Sequence, residues 1–374
     1  MRLRIDLAYD GGGFHGWAKQ PDLRTVQGVV EEALHTVLRV PADDADEPLR
    51  LVVAGRTDTG VHAAHQVCHL DVGEQTLQRC VGYMEVSPVE ALRRRLSHDL
   101  PDDIGLHGVC VAPDGFDARF SALERTYVYR IADGARPADP RLRGFVWKLE
   151  DALDISAMNE AAAMTIGLHD FGSFATPNPG GTTIREVKQA VWQRVPVMGM
   201  YGNAVGAVRD SSDSAVAVSK ETNNGCKKLG SNVGNIAGGN ENPADGGVGQ
   251  SHIPAVSLDS TQSVSSANSG TFKRKSAETE AYKVPLLESG LVCFTIVADA
   301  FAHNMVRSLV NACVQVGRHR KSLDWFAQKM AEPVREGSTG PIAACGLTLE
   351  HVAYPPNAEL ASRAVLIRAR RTLD

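Results

Sequence analysis

Residues 2–17, RLRIDLAYDGGGFHGW, place Leu3, Ile5 and Leu7 on one side of an extended chain and Arg2, Arg4 and Asp6 on the other, then break on three successive glycines. Period two is strand periodicity, and the glycines demand a turn. Outward from it, Thr25 can cap a helix whose apolar face is Val26, Val29, Val30, Ala33, Leu34, Val37 and Leu38, the spacing of a helix laid on a sheet. HQVCHLDV (65–72) reads as a second strand. RTYVYRI (125–131) reads as another, with Tyr127, Tyr129 and Ile131 on one face. Residues 154–166 predict a helix stopped by Gly167. IREVKQAVWQRV (184–195), GLVCFTIVADAF (290–301) and GLTLEHVAY (346–354) are further strands, with the helix AHNMVRSLVNACVQV, ending at Gly317, between the last two. Strands and helices mix without the regular alternation of a parallel α/β fold, so the class is α+β with antiparallel pairing. No GxGxxG follows any of these strands, which removes the dinucleotide fold.

Residues 205–283 break the pattern. They are dominated by Ser, Asn, Gly, Asp and Lys, with too few large apolar groups to offset chain entropy, and read as a disordered insertion. The insertion interrupts a hairpin between IREVKQAVWQRV and GLVCFTIVADAF, a change that costs only about 0.6 kcal/mol per doubling of loop length. Its basic run, Lys273 to Lys275, is the one spot there suited to touching a polyanion.

With 374 residues, 43% hydrophobic and 22% charged, the composition is that of a soluble globular protein of one large or two small domains. The opening MRLRIDLAYD has no uninterrupted apolar stretch to serve as a signal peptide and nothing later spans a bilayer, so a cytoplasmic setting is expected. Seven cysteines without a C-x-x-C pair suggest neither a zinc knuckle nor a disulfide framework. The net charge of -5 argues against a uniformly basic nucleic-acid coat. Local clusters exist at Arg93 to Arg95, at Arg318, Arg320 and Lys321, and in the tail at Arg363, Arg368, Arg370 and Arg371, against acids at Asp43, Asp44, Asp46 and Glu47. Solvated surface is the commoner meaning of such clusters, and a polyanion partner the rarer.

AGRTDTGVHA (54–63) sets Asp58 two positions after Arg56 and between Gly55 and Gly60, after the apolar Leu51, Val52 and Val53. Three readings compete. Asp58 and Thr59 can form an Asx-type turn with Gly60 at positive φ. D-T-G is also the aspartic-protease triplet, but that chemistry needs a second carboxylate, no second Asp-Thr-Gly or Asp-Ser-Gly occurs, and a nearby arginine spoils proton sharing. The third reading is an ionised carboxylate in a cleft, a nucleophile or base, with glycines admitting a flat ligand and Arg56 keeping the acid charged or gripping a phosphate.

That third reading needs partners. In the helix after Ala302, Met305, Val306, Leu309, Val310, Cys313 and Val314 form one apolar sector with Arg307 at its margin. Arg307 either snorkels to solvent or pairs with a buried carboxylate. Tyr127 is either a half-buried sheet aromatic or a platform on which a base stacks.

AGRTDTGVHA, YDGGGFHGW, FDARFSALERTYVYRI, GLHDFGSFAT, FAHNMVRSLVNACVQVGR and GLTLEHVAYP occur in that order except that YDGGGFHGW comes first, and together they closely resemble the TruA family of tRNA pseudouridine synthases. The resemblance covers nearly the whole chain except the insertion and the extreme C-terminus. It implies isomerisation of uridine to pseudouridine at positions 38, 39 and 40 of the tRNA anticodon stem-loop, with no cofactor and no metal. It also implies a homodimer of chains with two pseudo-symmetric α+β halves, their antiparallel sheets joined and flanked by helices, with the active-site cleft between them. Residues 1–112 would be the half carrying the catalytic Asp, residues 113–204 plus 284–360 the C-terminal half, 205–283 the insertion and 361–374 a basic tail.

By the same resemblance Asp58 is the catalytic aspartate, and Arg56 occupies the space left by the flipped base or holds its phosphate. Tyr127 stacks on the target uracil, Arg307 pairs with Asp58, Leu347 packs beneath the base, and His303 supports Arg307 or contacts RNA. His62 is read as structural. Ala18 and Lys19 stand where relatives favour Gln-Arg, and His98 departs from an Asn-x-x-Leu-Pro pattern, which puts in doubt only RNA contacts. Two other classes stay in view: an RNA-binding module without catalysis, and an aspartic protease.

Overall fold

A computed structural model describes residues 1–41, 49–135, 138–177, 181–196 and 288–367, all within one compact unit. The insertion, the acidic run from Asp43 to Glu47 and the tail arginines 368, 370 and 371 lie outside the described residues.

β1 (Arg2–Tyr9) buries Leu3, Ile5, Leu7 and Tyr9 and leaves Arg2, Arg4 and Asp6 half-buried, as its period-two pattern requires. It pairs antiparallel with β3 (His62–Asp71) on one side and β4 (Ile104–Val111) on the other. One sheet then continues through β10 (Leu347–Ala353), β5 (Glu124–Ala132), β9 (Val292–Ala298), β8 (Ile184–Arg194) and β7 (Gly167–Asp170), in the order β4-β1-β3-β10-β5-β9-β8-β7. Short strands β2 (Val52–Val53) and β6 (Trp147–Lys148) attach to β3 and β5.

The fold is α+β, and pairing is antiparallel except at two places: β6 runs parallel to β5, and β10 runs parallel to β3 with Thr348 opposite His62 and Leu349 opposite Ala63. The second parallel contact is what makes the sheet continuous. It sets the strand leaving the Asp58 loop one strand away from β5, which carries Tyr127.

Among the described residues seven α-helices complete the fold: α1 (Val26–Leu38), α2 (Glu74–Arg79), α3 (Pro88–Asp99), α4 (Ile155–Ala163), α5 (Met305–Gly317), α6 (Leu323–Ala331) and α7 (Leu360–Ile367). Thr25 caps α1, its hydroxyl accepting from the Gly28 amide at 3.3 Å. On α5 the sector Met305, Val306, Leu309, Val310, Cys313 and Val314 is buried throughout, each side chain contributing roughly 1.5–3 kcal/mol. Among the described residues no helix is long and apolar enough to cross a membrane.

Four boundaries and one surface differ from, or refine, the sequence reading. The helix expected over 154–166 ends at Ala163: the Thr165 hydroxyl closes on the Ala162 carbonyl at 2.7 Å, and Gly167, at φ +109°, opens β7. The strand expected from residue 65 starts at His62, so the Asp58 motif runs directly into it. The helix expected from Ala302 starts at Met305, after a left-handed residue. Residues up to Ile367 of the expected basic tail are helical, with Leu360 and Ala364 buried. Arg93 and Arg94 share Glu90, and Arg95 donates to the Cys80 carbonyl, so this arginine run is a helix surface partly occupied by contacts within the protein.

Candidate active site

The loop between β2 and β3 carries Asp58, and the glycine turn after β1 holds it. Trp17 N donates to Thr57 O at 3.0 Å, Gly60 N to Phe14 O at 3.2 Å, and the Tyr9 hydroxyl shares a hydrogen bond with Thr57 Oγ1 at 2.8 Å. A Cβ on Gly16 would stand 2.8 Å from Thr57 O and one on Gly11 2.0 Å from Val61 O, so these glycines exist to let two backbones touch. Gly11 N also donates to His62 Nδ1 at 3.0 Å, and His62 is buried, a structural role. Within the loop Val61 N donates to Asp58 O at 3.1 Å and Gly60 sits at φ +76°. Of the Asx-turn reading, the positive φ at Gly60 is present, but the turn is closed by the Asp58 main-chain carbonyl, while the Gly60 amide goes to Phe14 O and the carboxylate faces elsewhere.

The carboxylate faces two nitrogens from the other end of the chain. His303 Nε2 lies 3.4 Å from Oδ1 and Arg307 Nη1 3.8 Å from Oδ2. The Asp58 side chain is 26% exposed. Burial pushes its pKa above the ordinary carboxylate value, and the charges of His303 and Arg307 oppose that rise without cancelling it. The neighbouring cations favour the charged form, as expected, but they act against a larger effect of burial.

Arg307 neither snorkels nor forms a tight ion pair. It is 16% exposed, its Nε donates to Ile342 O at 2.7 Å, and Nη1 approaches Asn304 Oδ1 at 3.4 Å while standing off Asp58. Asn304, at φ 63°, turns the chain into α5, and its Nδ2 donates to Thr176 Oγ1 at 2.9 Å while Thr176 N donates to His303 O at 2.9 Å. This left-handed residue lets His303 before the helix and Arg307 in its first turn reach one carboxylate. Its signal in the sequence is an Asn directly ahead of an apolar helix, a residue type that tolerates positive φ.

Tyr127 is 6% exposed and meets Phe301 edge to face, ring centres 5.0 Å apart. Burial above all, with the Tyr9 phenol and then the Asp58 charge, raises its hydroxyl pKa, against which Arg125 acts. Phe301 was not singled out from the sequence, although it opens the FAHNMVR block. Leu347 is buried on β10 opposite Tyr129, and the leucine directly across from Tyr127 is Leu349. Arg56 is exposed and forms no ion pair among the described residues, so the cation facing Asp58 comes from α5 and not from the loop itself. Two hollows of about 350 and about 530 Å³ lie elsewhere, around Tyr354 and around Arg318, and neither is lined by Asp58.

The tRNA pseudouridine synthase family matches residues 258–355 of the chain. The tRNA pseudouridine synthase A of Bifidobacterium longum (strain DJO10A) is 57% identical over 372 residues, spanning 100% of this chain and 99% of the relative. The chain belongs to the tRNA pseudouridine synthases. Proteins of the same description from Bifidobacterium animalis subsp. lactis (strain AD011) and Streptomyces griseus subsp. griseus are 54% and 34% identical, covering 99% and 95% of their own lengths.

Membership in this isomerase family removes the protease reading of D-T-G, and the geometry agrees. Asp58 faces an imidazole and a guanidinium, whereas proton sharing needs a second carboxylate. A carboxylate so placed is equipped to attack carbon or to take a proton. Among the described residues no group of three or more His, Cys, Asp or Glu is placed to hold a metal ion.

Proposed function

We propose that this synthase isomerises uridine to pseudouridine at positions 38, 39 and 40 in the anticodon stem-loop of tRNA, by base flipping and an Asp58-dependent exchange of the glycosidic C–N bond for a C–C bond. The observation that carries the reading is the meeting of Asp58 with His303 and Arg307, residues separated by most of the chain.

A uridine in a stem cannot reach a buried carboxylate while stacked, so it is extruded at a cost of a few kcal/mol. Stacking on Tyr127 offsets roughly 1–3 kcal/mol of that. Arg56, exposed beside the loop, takes the place of the departed base or holds its phosphate. The bond from ribose C1′ to N1 breaks, the uracil turns while Leu347 and its neighbours close the floor, C5 bonds to C1′, and the proton on C5 is lost as N1 gains one. Asp58 acts in its ionised form, either attacking C1′ to give an ester that C5 then displaces, freeing the carboxylate, or removing the C2′ proton to give a glycal that takes that proton back as C5 bonds to C1′. Arg307 and His303 stabilise that charge once water has left. The net bond changes are internal to the nucleotide, so the scheme calls on no cofactor. By the same reading the protein works in the cytoplasm as a homodimer, which light scattering after size-exclusion chromatography checks.

The deciding experiment incubates the protein with unmodified tRNA and maps pseudouridine by carbodiimide treatment and primer extension. Stops at positions 38, 39 and 40 with the native chain, and none with Asp58→Ala despite normal tRNA binding, are the expected result. Full activity in Asp58→Ala, or product only at other positions, overturns the proposal.

A further inference from the structure

We infer that Arg125 is a positioning residue for this reaction, a single buried guanidinium that fixes the Asp58 loop and the His303 turn against the strand bearing Tyr127. Arg125 lies on β5 two residues before Tyr127, on the same face, and is 7% exposed. Its Nη1 donates to Asp299 O at 2.6 Å, and its Nη2 donates to Ala54 O at 2.6 Å and to Arg119 O at 2.8 Å. Each carbonyl belongs to a different segment. Ala54 opens the loop that carries Asp58, Asp299 opens the turn that carries Phe301 and His303, and Arg119 lies in the connection leading to β5.

A stability role alone accounts poorly for this arrangement. Arg125 forms no ion pair among the described residues, and burial pulls its pKa down, so keeping the charge inside the protein is costly. An apolar side chain of similar volume would avoid that penalty but would take the donor from three main-chain carbonyls. What an apolar side chain cannot do is tie three main-chain carbonyls from separate segments to one group with short, charge-assisted hydrogen bonds. The segments held are those that bring Asp58, His303 and Tyr127 together, and a misplacement of 1 Å among reacting groups costs about 100-fold in rate.

The inference rests on the assignment of Asp58 and Tyr127 to the reacting uridine, and its test separates the two. Arg125→Lys and Arg125→Gln are compared with the native chain for single-turnover rate on unmodified tRNA, tRNA dissociation constant, and amide hydrogen exchange. Lysine keeps the charge without the planar fork and should lower the rate about 100-fold with tRNA affinity within about threefold of native. Exchange should rise in residues 54–60 and 299–304 while β1 and α1 keep native protection. A lysine variant within about threefold of the native rate overturns the inference. So does a loss of affinity matching the loss of rate, a rise in exchange spread over the whole sheet, or failure of both variants to fold, since each makes Arg125 a general structural residue. A native protein that makes no pseudouridine sinks the proposed function instead, and the exchange measurement, which needs no turnover, still judges Arg125.

Discussion

Arg307→Gln removes the permanent positive charge facing Asp58 and retains an amide donor for the Ile342 carbonyl, which accepts from Arg307 Nε at 2.7 Å. Two unit charges separated by the 3.8 Å seen here attract by about 1 kcal/mol in water and about 4 kcal/mol at the effective dielectric of a partly buried pair. With Asp58 and Arg307 only 26% and 16% exposed, the upper part of that range applies. Burial already raises the Asp58 pKa and Arg307 opposes the rise, so the substitution raises it further. A carboxylate is charged above its pKa. A rate that needs the charged form therefore fails as pH falls, and the acid limb of the variant's profile moves to higher pH. Wherever Asp58 is mostly protonated, each 1.4 kcal/mol lost is about a tenfold loss of active enzyme. Single-turnover rates on unmodified tRNA from about pH 5 to about pH 9 measure this directly. The deficit should be largest at the acid end and shrink steadily toward the alkaline end. A deficit of the same size at every pH would show that Arg307 acts by shape alone, and no deficit at all would remove it from the site.

Asp58→Asn should raise thermal stability at neutral pH while abolishing turnover, because the native fold carries a carboxylate whose ionisation burial disfavours. The gain should disappear as pH falls toward about 3.9, where the unfolded chain's carboxyl also holds its proton; calorimetry across that range checks it, and a destabilised variant contradicts it. Gly16→Ala forces a Cβ to 2.8 Å from Thr57 O at φ +87°, so a loss of about 1–3 kcal/mol and a slowed reaction are expected, read by denaturant melts alongside rate. Thr25→Ala, by contrast, deletes the α1 cap for about 1 kcal/mol and should leave the rate per folded molecule unchanged.

Which of these features could be seen before the fold was known follows from the range over which each is determined. Alternation in RLRIDLAY and RTYVYRI, and the helical spacing after Thr25 and around Leu309, are local, and β1, β5, α1 and α5 stand where those patterns put them. β4 was not visible because Gly105 and Gly108 interrupt it and only Ile104 is buried, the weak pattern of an edge strand. α3 hides a short apolar face, Ala91, Leu92 and Leu96, among three arginines, although Ser87 followed by Pro88 and Glu90 is a start signal open to reading.

The site divides in the same way. That Asp58, Tyr127 and Arg307 are special could be read from the blocks that hold them, but the placing of their strands in one sheet depends on β10 entering between β3 and β5, parallel to the first and antiparallel to the second, a non-local choice that no periodicity encodes. The sign of the Asp58 shift was less accessible still. Counting nearby cations predicts a depressed pKa, because attraction can be guessed from residue types, whereas desolvation depends on how completely the surrounding segments exclude water. Packing of the Asp58 loop against the glycine turn and α5 supplies that exclusion, and it is large enough to outweigh an imidazole at 3.4 Å and a guanidinium at 3.8 Å. The enclosure that makes the ionised acid costly also strengthens every interaction it makes with a bound nucleotide, since the same low dielectric governs both.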